Sequence, residues 1–358
     1  MKKINEYKAE QIQGQYIRLN ANESNSIFSK GEIIDMLLSL KLDNFNRYPD
    51  TSTKELRKAY GKFIGYSYKN ILAGNGSDQL IGILISSYIN KGDKILTLQP
   101  DFSMYDFYAS LNEGQLVKLN IGKKGKFAVK DLISLGKKES PKMIIFSNPN
   151  NPTGYELSVK EIEELLSNFS DIKILVDEAY IEFGGESALN LIEKYENLYI
   201  TRTMSKAWGI AALRIGFIIS NENNIKELER FMVPYSINSI SQEIAIKILS
   251  YKEEIFENVE IIKDERNRLY KAFKELENLQ GNKIKFYKSQ GNFIFARSKY
   301  KQQLKEALEE EGIIIRYFKD DSFRITIGKR EENDQVLRVI SKVIFSMEDR
   351  DERKKCTI

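Results

Sequence analysis

Lys206 is the residue whose surroundings most favour covalent chemistry. It follows Ser205 and precedes residues 207–213, an apolar run that contains the only tryptophan of the chain. A lysine removed from water has a lowered pKa and becomes a nucleophile that forms Schiff bases with carbonyl compounds. Arg214 comes next, where an arginine either forms a structural ion pair or holds a phosphate. A lone lysine is more often a solvated surface charge, so this interpretation depends on the residues around it.

Two further polar groups follow apolar segments. Asp177 ends the segment 173–177, where a buried carboxylate either caps a helix or pairs with a protonated ligand nitrogen. Tyr180 is close enough in sequence to reach the same ligand. Asn151 belongs to the turn 148–154, which is either a simple tight turn or a source of an amide donor for a ligand oxygen. In open α/β sheets, ligands bind at the carboxyl ends of the strands, where both groups are expected.

Residues 75–78, Asn-Gly-Ser-Asp, link a predicted strand to a predicted helix. They form either an ordinary helix cap or a phosphate site, because the first N–H groups of a helix are free to bind an anion. The segment is not a P-loop, since no Gly-Lys-Ser/Thr follows it. A Schiff-base lysine, a carboxylate for a ring nitrogen, Asn and Tyr donors and a phosphate site together predict bound pyridoxal phosphate.

The composition of the 358-residue chain excludes several other chemistries. No histidine is present, which rules out Ser-His-Asp and Cys-His mechanisms and histidine-ligated metals. Cys356 is the only cysteine, so no disulfide or cysteine-based metal site is expected, and a reducing compartment fits. The net charge of +4 is too small to indicate nucleic-acid binding. The N-terminus does not look like a signal peptide, and the apolar runs are too short for a bilayer. We therefore expect a cytoplasmic protein with no metal, no nucleic-acid partner and no membrane contact.

These groups must be positioned by an α/β fold. Short β-rich runs alternate with helical patterns, which predicts a mainly parallel sheet covered by helices. The predicted strands of this sheet are 71–73, 94–98, 115–119, 143–147, 173–177, 199–202 and 215–220. After Pro234, a long helical segment over 240–277 precedes a small α+β unit. Its predicted elements are strands 283–287, 293–297, 313–317 and 323–327, and helices 300–311 and 331–345. We predict a large cofactor-binding domain over 31–235, a small domain over 1–30 and 236–347, and a charged tail over 348–358, in which the charged run 348–355 is frayed.

Six motifs give the sequence a specific resemblance that extends from Arg18 to Glu332. The motifs are 19–23 (Leu-Asn-Ala-Asn-Glu), 47–49 (Arg-Tyr-Pro), 148–154, 177–183, 205–206 with 212–217, and 324–328. With this order and spacing, the sequence resembles the fold type I pyridoxal-phosphate-dependent aminotransferases and, among them, the histidinol-phosphate aminotransferases. The resemblance implies a large domain with a mainly parallel sheet and a small α+β domain.

The resemblance also implies a role for each motif residue. Lys206 would form the Schiff base with pyridoxal phosphate and then move the substrate proton. Asp177 would pair with the pyridine nitrogen, while Asn151 and Tyr180 would bond the phenolate oxygen. The residues implied to hold the phosphate are Gly76, Ser77, Asp78, Thr203, Ser205 and Arg214.

Further residues are implied to bind the substrate or to complete the site. Phe102 would stack on the cofactor ring, and Tyr48 would reach the phosphate bound by the neighbouring subunit of a homodimer. Arg316 and Arg324 would bind the anionic end of the substrates, with Arg324 ending a strand and pointing into the interdomain cleft. Asn22 is also assigned to substrate binding.

The implied reaction takes histidinol phosphate and 2-oxoglutarate to imidazole acetol phosphate and glutamate, a step of histidine biosynthesis. Two features depart from that pattern: Ser24 and Asn25 stand where a tyrosine is frequent, and the segment between Arg316 and Arg324 is short. A threonine-phosphate decarboxylase of cobalamin synthesis and an aromatic amino-acid aminotransferase are the alternatives. A transcription regulator with this fold would need a DNA-binding domain before Arg18.

Overall fold

A computed structural model describes residues 4–5, 16–40 and 46–355, so that Cys356 lies outside the described residues. Twelve strands are present in this part of the chain: β1 Ile17–Leu19, β2 Ile71–Asn75, β3 Lys94–Gln99, β4 Gln115–Asn120, β5 Met143–Ser147, β6 Lys173–Asp177, β7 Leu198–Thr203, β8 Ile215–Ile219, β9 Ile284–Tyr287, β10 Phe293–Ser298, β11 Ile313–Tyr317 and β12 Ser322–Thr326. The α-helices described are α1 Lys30–Leu38, α2 Lys54–Ile64, α3 Gly76–Tyr88, α4 Met104–Leu111, α5 Val129–Glu139, α6 Val159–Ser167, α7 Glu222–Glu229, α8 Ser239–Ile248, α9 Lys252–Gln280, α10 Lys301–Glu310 and α11 Arg330–Lys355.

The first sheet has seven strands in the order β2-β8-β7-β6-β5-β3-β4. All neighbours are parallel except β8, which runs antiparallel to β2 and β7. The predicted mainly parallel α/β sheet is confirmed, and β5 and β6 have the predicted bounds. Alternate residues of β5 enter separate apolar clusters on the two faces of the sheet, Ile144 and Phe146 on one and Met143 and Ile145 on the other. Burial on both faces explains why these strands are continuous apolar runs in the sequence.

The second sheet has five strands in the order β1-β11-β12-β10-β9. Its neighbours are antiparallel except β1 and β11, which are parallel. The strand β1 was not predicted; its three residues pair with residues 313–315, and so short a segment carries little periodicity of its own. This pairing brings residues 20–22, which follow β1, towards the first sheet, where they contact side chains of the site described below.

Two helical predictions were wrong in detail. The segment 240–277 is not one helix, because a short 3₁₀ turn at Leu249–Tyr251 separates α8 from α9. The run 348–355 is helical rather than frayed, since α11 continues to Lys355 through residues of high helix propensity. The predicted helix stop at Gly312 is confirmed by its left-handed φ of 71° after α10.

The division into a large domain over 31–235 and a small domain around it stays a prediction. Across the described ranges, no helix is long and apolar enough to cross a membrane.

Candidate active site

An inner cavity lies at the carboxyl ends of the central parallel strands. Register places Ser147, Asp177 and Thr201 side by side on β5, β6 and β7. The cavity and its mouth contain about 520 Å³ that no protein atom occupies. The predicted residues that line it are Ser77, Asp78, Phe102, Asn151, Asp177, Tyr180, Thr203, Ser205, Lys206 and Arg214. Segments separated by more than 100 residues in sequence therefore meet at one place.

The Lys206 amine is directed into this cavity and is poorly solvated. Its Nζ donates a hydrogen bond to the Ala21 carbonyl oxygen at 2.8 Å and lies 5.9 Å from the centre of the Tyr180 ring. Loss of solvent around the ammonium, and then the nearby Arg324 guanidinium, lower the pKa of Lys206 to about 8. A larger fraction of neutral amine is available at neutral pH than for a surface lysine, as nucleophilic chemistry requires.

Asp177 is a buried carboxylate held by two hydroxyl groups. Tyr105 donates to its Oδ2 at 2.8 Å, and Thr201 donates to its Oδ1 at 2.9 Å. Burial raises the pKa of Asp177 to about 6 although both hydrogen bonds lower it. The carboxylate is therefore largely ionised at neutral pH, but burying its charge destabilises the folded state. A protonated ligand nitrogen in the cavity would offset that destabilisation.

The Tyr180 hydroxyl is oriented by Asn22. The Asn22 side-chain amide donates to the Tyr180 oxygen at 3.0 Å, which leaves the Tyr180 proton free for donation into the cavity. Asn22 is fully buried, is bonded by Thr326 and Asn292, and adopts a left-handed φ of 54°. Asn22 lines neither the inner cavity nor the larger outer cavity described below, so the structure places this predicted substrate ligand behind Tyr180.

Asn151 and Arg324 are bonded to each other. Arg324 donates from Nη1 to the Asn151 Oδ1 atom and from Nη2 to the Asn20 carbonyl oxygen. Because its amide oxygen is occupied, Asn151 presents its NH₂ group as a donor. The expectation that Arg324 ends a strand was wrong, since it lies at the centre of β12. It nevertheless lines the outer cavity described below, because strand alternation turns it away from the apolar Phe323 and Ile325.

The first turn of α3 lies beside Arg214. Its leading N–H groups have no acceptor within the helix. Arg214 donates to Asp78 at 3.1 Å and more weakly to Ser205 at 3.4 Å. Because the Asp78 carboxylate would repel a phosphate, only the backbone N–H of that residue suits the predicted role. Gly76 has a φ of 80°, and a Cβ there would lie 2.5 Å from the Arg214 Nη2 atom. A side chain at residue 76 would therefore displace the end of the Arg214 side chain, and the positive φ itself favours glycine.

An outer cavity of about 1390 Å³, including its open mouth, adjoins the inner one. The two share five lining residues, Asp78, Phe102, Asn151, Tyr180 and Lys206. Three cations, Arg316, Lys319 and Arg324, also line the outer cavity. Arg316 and Arg324 are direct partners across β11 and β12, which puts them on one face of the second sheet. Two carboxylates, Asp78 and Asp101, line the same cavity but are outnumbered by the cations, so the balance of charge suits an anionic substrate.

Tyr48 is the one predicted residue that lies elsewhere on the surface. Its side chain is 79% exposed and its ring stacks on Tyr235 at a centroid distance of 4.4 Å. It borders a shallow surface pocket with Arg47 and Pro49 rather than the inner cavity. The predicted contact of Tyr48 with the phosphate bound by a neighbouring subunit requires such an exposed position.

Sequence reasoning missed four residues of the site. Tyr105 and Asp101 contact residues 72 and 46 positions away, which no local pattern reveals. Ser147 is the polar end of the otherwise apolar buried strand β5, and Thr201 begins the polar half of the buried strand β7. Polar residues in buried strands were a usable signal.

Comparison with known proteins assigns the chain to a family. Residues 12–340 match the family described as aminotransferase class I and II. The chain belongs to this family. It is 41% identical over 331 residues to the histidinol-phosphate aminotransferase of Clostridium novyi, with 90% of each chain covered.

Solved structures of the same class share the fold. The histidinol-phosphate aminotransferase from Sinorhizobium meliloti, solved in complex with pyridoxal-5'-phosphate, superposes with a TM-score of 0.82 at 20% identity, covering 93% of this chain and 91% of that one. The enzyme from Clostridium acetobutylicum gives a TM-score of 0.82 at 24% identity, covering 92% and 99% of the two chains. The predicted fold type I architecture is confirmed.

Proposed function

We propose that this protein transfers the amino group of histidinol phosphate to 2-oxoglutarate, forming imidazole acetol phosphate and glutamate as a step of histidine biosynthesis. The observation that carries the proposal is the 41% identity, over 90% of both chains, to a histidinol-phosphate aminotransferase. The single cysteine of the chain fits action in the reducing cytoplasm.

The inner cavity has the groups that pyridoxal phosphate needs. The α3 N-terminus with Arg214 suits the phosphate, Asp177 suits the protonated ring nitrogen, and the donors of Asn151 and Tyr180 suit the phenolate oxygen. Phe102 lines the cavity and supplies an aromatic face for the ring. When bound, this cofactor supplies a carbonyl that takes up amines and a ring that withdraws electrons from the substrate carbon.

The protein's own residues account for the proton movements. Lys206 Nζ would hold the cofactor through a C=N link, and the incoming substrate amine would displace it. The freed neutral Lys206 amine would then take the proton from the substrate carbon and deliver it to the cofactor carbon. The lowered pKa of Lys206 supports this role, as does its position within 5.9 Å of the Tyr180 ring. Ionised Asp177 keeps the ring nitrogen protonated throughout. No histidine is needed at any of these steps.

The outer cavity supports an acidic substrate. Histidinol phosphate presents a phosphate and glutamate presents a carboxylate, and both anions match the fork of a guanidinium group. Arg316 and Arg324 therefore serve both half-reactions from one position. Lys319 adds a third cation, which favours the dianionic phosphate over a carboxylate.

A homodimer with shared sites completes the proposal. Apolar side chains of α1 (Ile33, Ile34, Leu37 and Leu38) and of the segment after α7 (Phe231 and Val233) are exposed in the described chain. A second copy that covers such surfaces would bury them from water. The exposed Tyr48 would then reach the phosphate bound by the other subunit.

Competing substrates test the reaction. The purified protein is incubated with histidinol phosphate, phenylalanine or threonine phosphate, each with 2-oxoglutarate, while glutamate and carbon dioxide are both measured. We expect glutamate from histidinol phosphate at the highest kcat/KM and no carbon dioxide. Carbon dioxide from threonine phosphate, or a preference for phenylalanine, would replace the proposal by the corresponding alternative.

A further inference from the structure

Asp101 is a half-buried acid that lines the outer cavity next to the inner one, and the proposed chemistry does not use it. It lies in the loop between β3 and α4, directly before Phe102. Its Oδ1 atom accepts the Phe102 N–H at 2.8 Å, so the carboxyl group fixes the backbone of that aromatic residue. The same carboxyl group accepts the hydroxyl of Ser147 and, at 3.3 Å, the Ser147 N–H.

Ser147 extends this contact to the turn that carries Asn151. It ends β5, and its Oγ accepts the Asn151 N–H at 2.9 Å and an Asn150 side-chain N–H at 3.4 Å. Asn150 also donates to the Pro100 carbonyl oxygen at 3.4 Å, which gives the two loops a second connection. A continuous hydrogen-bonded path therefore runs from the Phe102 loop to the turn that presents Asn151.

We propose that Asp101 is a positioning residue that joins the Phe102 loop to the Asn151 turn and so determines how tightly the cofactor is held. The inference rests on the proposed function, because Phe102 and Asn151 matter in this way only if a ring with an oxygen substituent lies between them. Asp101 itself acts through these two residues and Ser147.

A neutral acid suits this position better than a second charge. Burial and, to a smaller extent, the neighbouring Asp177 carboxylate raise the pKa of Asp101 to about 8, although the hydrogen bonds from Ser147 and Phe102 lower it. Protonated Asp101 keeps its hydrogen bonds without adding negative charge beside Asp177. The Asp177 carboxylate must pair with the protonated ring nitrogen instead. Asparagine resembles this neutral form, which makes Asp101→Asn the conservative variant and Asp101→Ala the disruptive one.

Cofactor affinity is the readout that separates positioning from simple stabilisation. Trp208, the only tryptophan, is buried two residues after Lys206 and reports pyridoxal phosphate binding to the cofactor-free chain by quenching, together with the visible absorption band. We expect Asp101→Ala to weaken pyridoxal phosphate binding about tenfold or more, the loss expected when the Phe102 and Ser147 donors are left without their acceptor. Asp101→Asn should stay within about threefold of the wild type. Asp106→Ala, which removes a partly exposed ion pair with Lys118 on the same loop-helix segment, should change nothing.

The path through Ser147 gives a second, independent arm. Ser147→Ala should weaken binding to a similar extent, and the double variant with Asp101→Ala should be little weaker than either single variant, because both break one connection. If Asp101→Ala fails to fold, Ser147→Ala and Asp101→Asn carry the test alone.

Two results would overturn the inference. One is an Asp101→Ala protein that melts at a lower temperature but binds pyridoxal phosphate as tightly as the wild type, which would make Asp101 a stabilising residue only. The other is strict additivity of the Asp101 and Ser147 effects. A wild-type protein that binds no pyridoxal phosphate would instead refute the proposed function itself.

Discussion

Replacing Asp177 by asparagine should stabilise the cofactor-free protein while it removes activity. Burial raises the pKa of Asp177 from 3.8 to about 6, so the folded state binds its proton more tightly than the unfolded chain does. This contribution to stability is complete below pH 3.8 and is lost as the pH rises through 6. Since one pKa unit corresponds to about 1.36 kcal/mol, the ionised carboxylate costs the fold about 3 kcal/mol at pH 8 and about half as much at pH 5.

An Asp177→Asn side chain avoids that cost at every pH. It keeps the shape of the carboxyl group, and its partners Tyr105 and Thr201 are both hydroxyls that can turn to accept from an amide. The free energy of unfolding should therefore exceed that of the wild type by up to about 3 kcal/mol at pH 8, with the gain shrinking towards pH 5. Turnover should fall roughly a hundredfold or more, because a preorganised charge at the reacting ring is lost.

Urea unfolding of both cofactor-free proteins, at equal concentration and at pH 5, 6.5 and 8, measures the difference. Asp93→Asn is the matched control, because the Asn90 N–H and Lys142 lower the pKa of Asp93, and its neutral replacement should lose stability at pH 8. An Asp177→Asn protein that gains nothing at pH 8, or gains the same at pH 5 and pH 8, would refute the reasoning.

The remaining predictions concern the lysine, the assembly and the anion site. Lys206→Ala should bind pyridoxal phosphate without a covalent link, so that dialysis removes it, and turnover should fall by several orders of magnitude; normal turnover would exclude Lys206 as the catalytic amine. Mixing inactive Lys206→Ala chains with inactive Tyr48→Phe chains should restore activity in mixed dimers, measured after subunit exchange, whereas full activity of a demonstrated monomer would contradict shared sites. Arg324→Lys should lower kcat/KM about ten- to a hundredfold with both histidinol phosphate and glutamate, since a charge-assisted pair is worth roughly 1.5–3 kcal/mol; stopped-flow measurement of each half-reaction would show no change if the anion is held elsewhere.

Much of the fold could be predicted because the central strands are buried on both faces. Such strands are continuous apolar runs, and β5 and β6 were located to the residue. The break between α8 and α9 could not be predicted, because Leu249–Tyr251 fits a helical pattern and differs only in its final turn geometry. The strand β1 depends on pairing with residues almost 300 positions later, and such long-range pairing has no local signature.

The candidate site, like the fold, could be predicted only in part from the sequence. Lys206, Asp177 and Asn151 follow strands that end at one edge of the sheet, so sequence order alone brings them together. The groups that orient them come from distant segments: Tyr105 for Asp177, Asn22 for Tyr180 and Ser147 with Asp101 for Asn151. These contacts depend on how loops pack across the cavity, which composition and periodicity do not encode.

Attachment of the cofactor to Lys206 is tested most directly by borohydride reduction of the protein loaded with pyridoxal phosphate. Borohydride converts the C=N link between a lysine and this cofactor into a stable amine, which peptide mapping by mass spectrometry then locates. We expect the visible band to disappear and one phosphopyridoxyl group per chain to be found on Lys206. A label on another lysine, or no label at all, would contradict the proposal that the inner cavity binds this cofactor through Lys206.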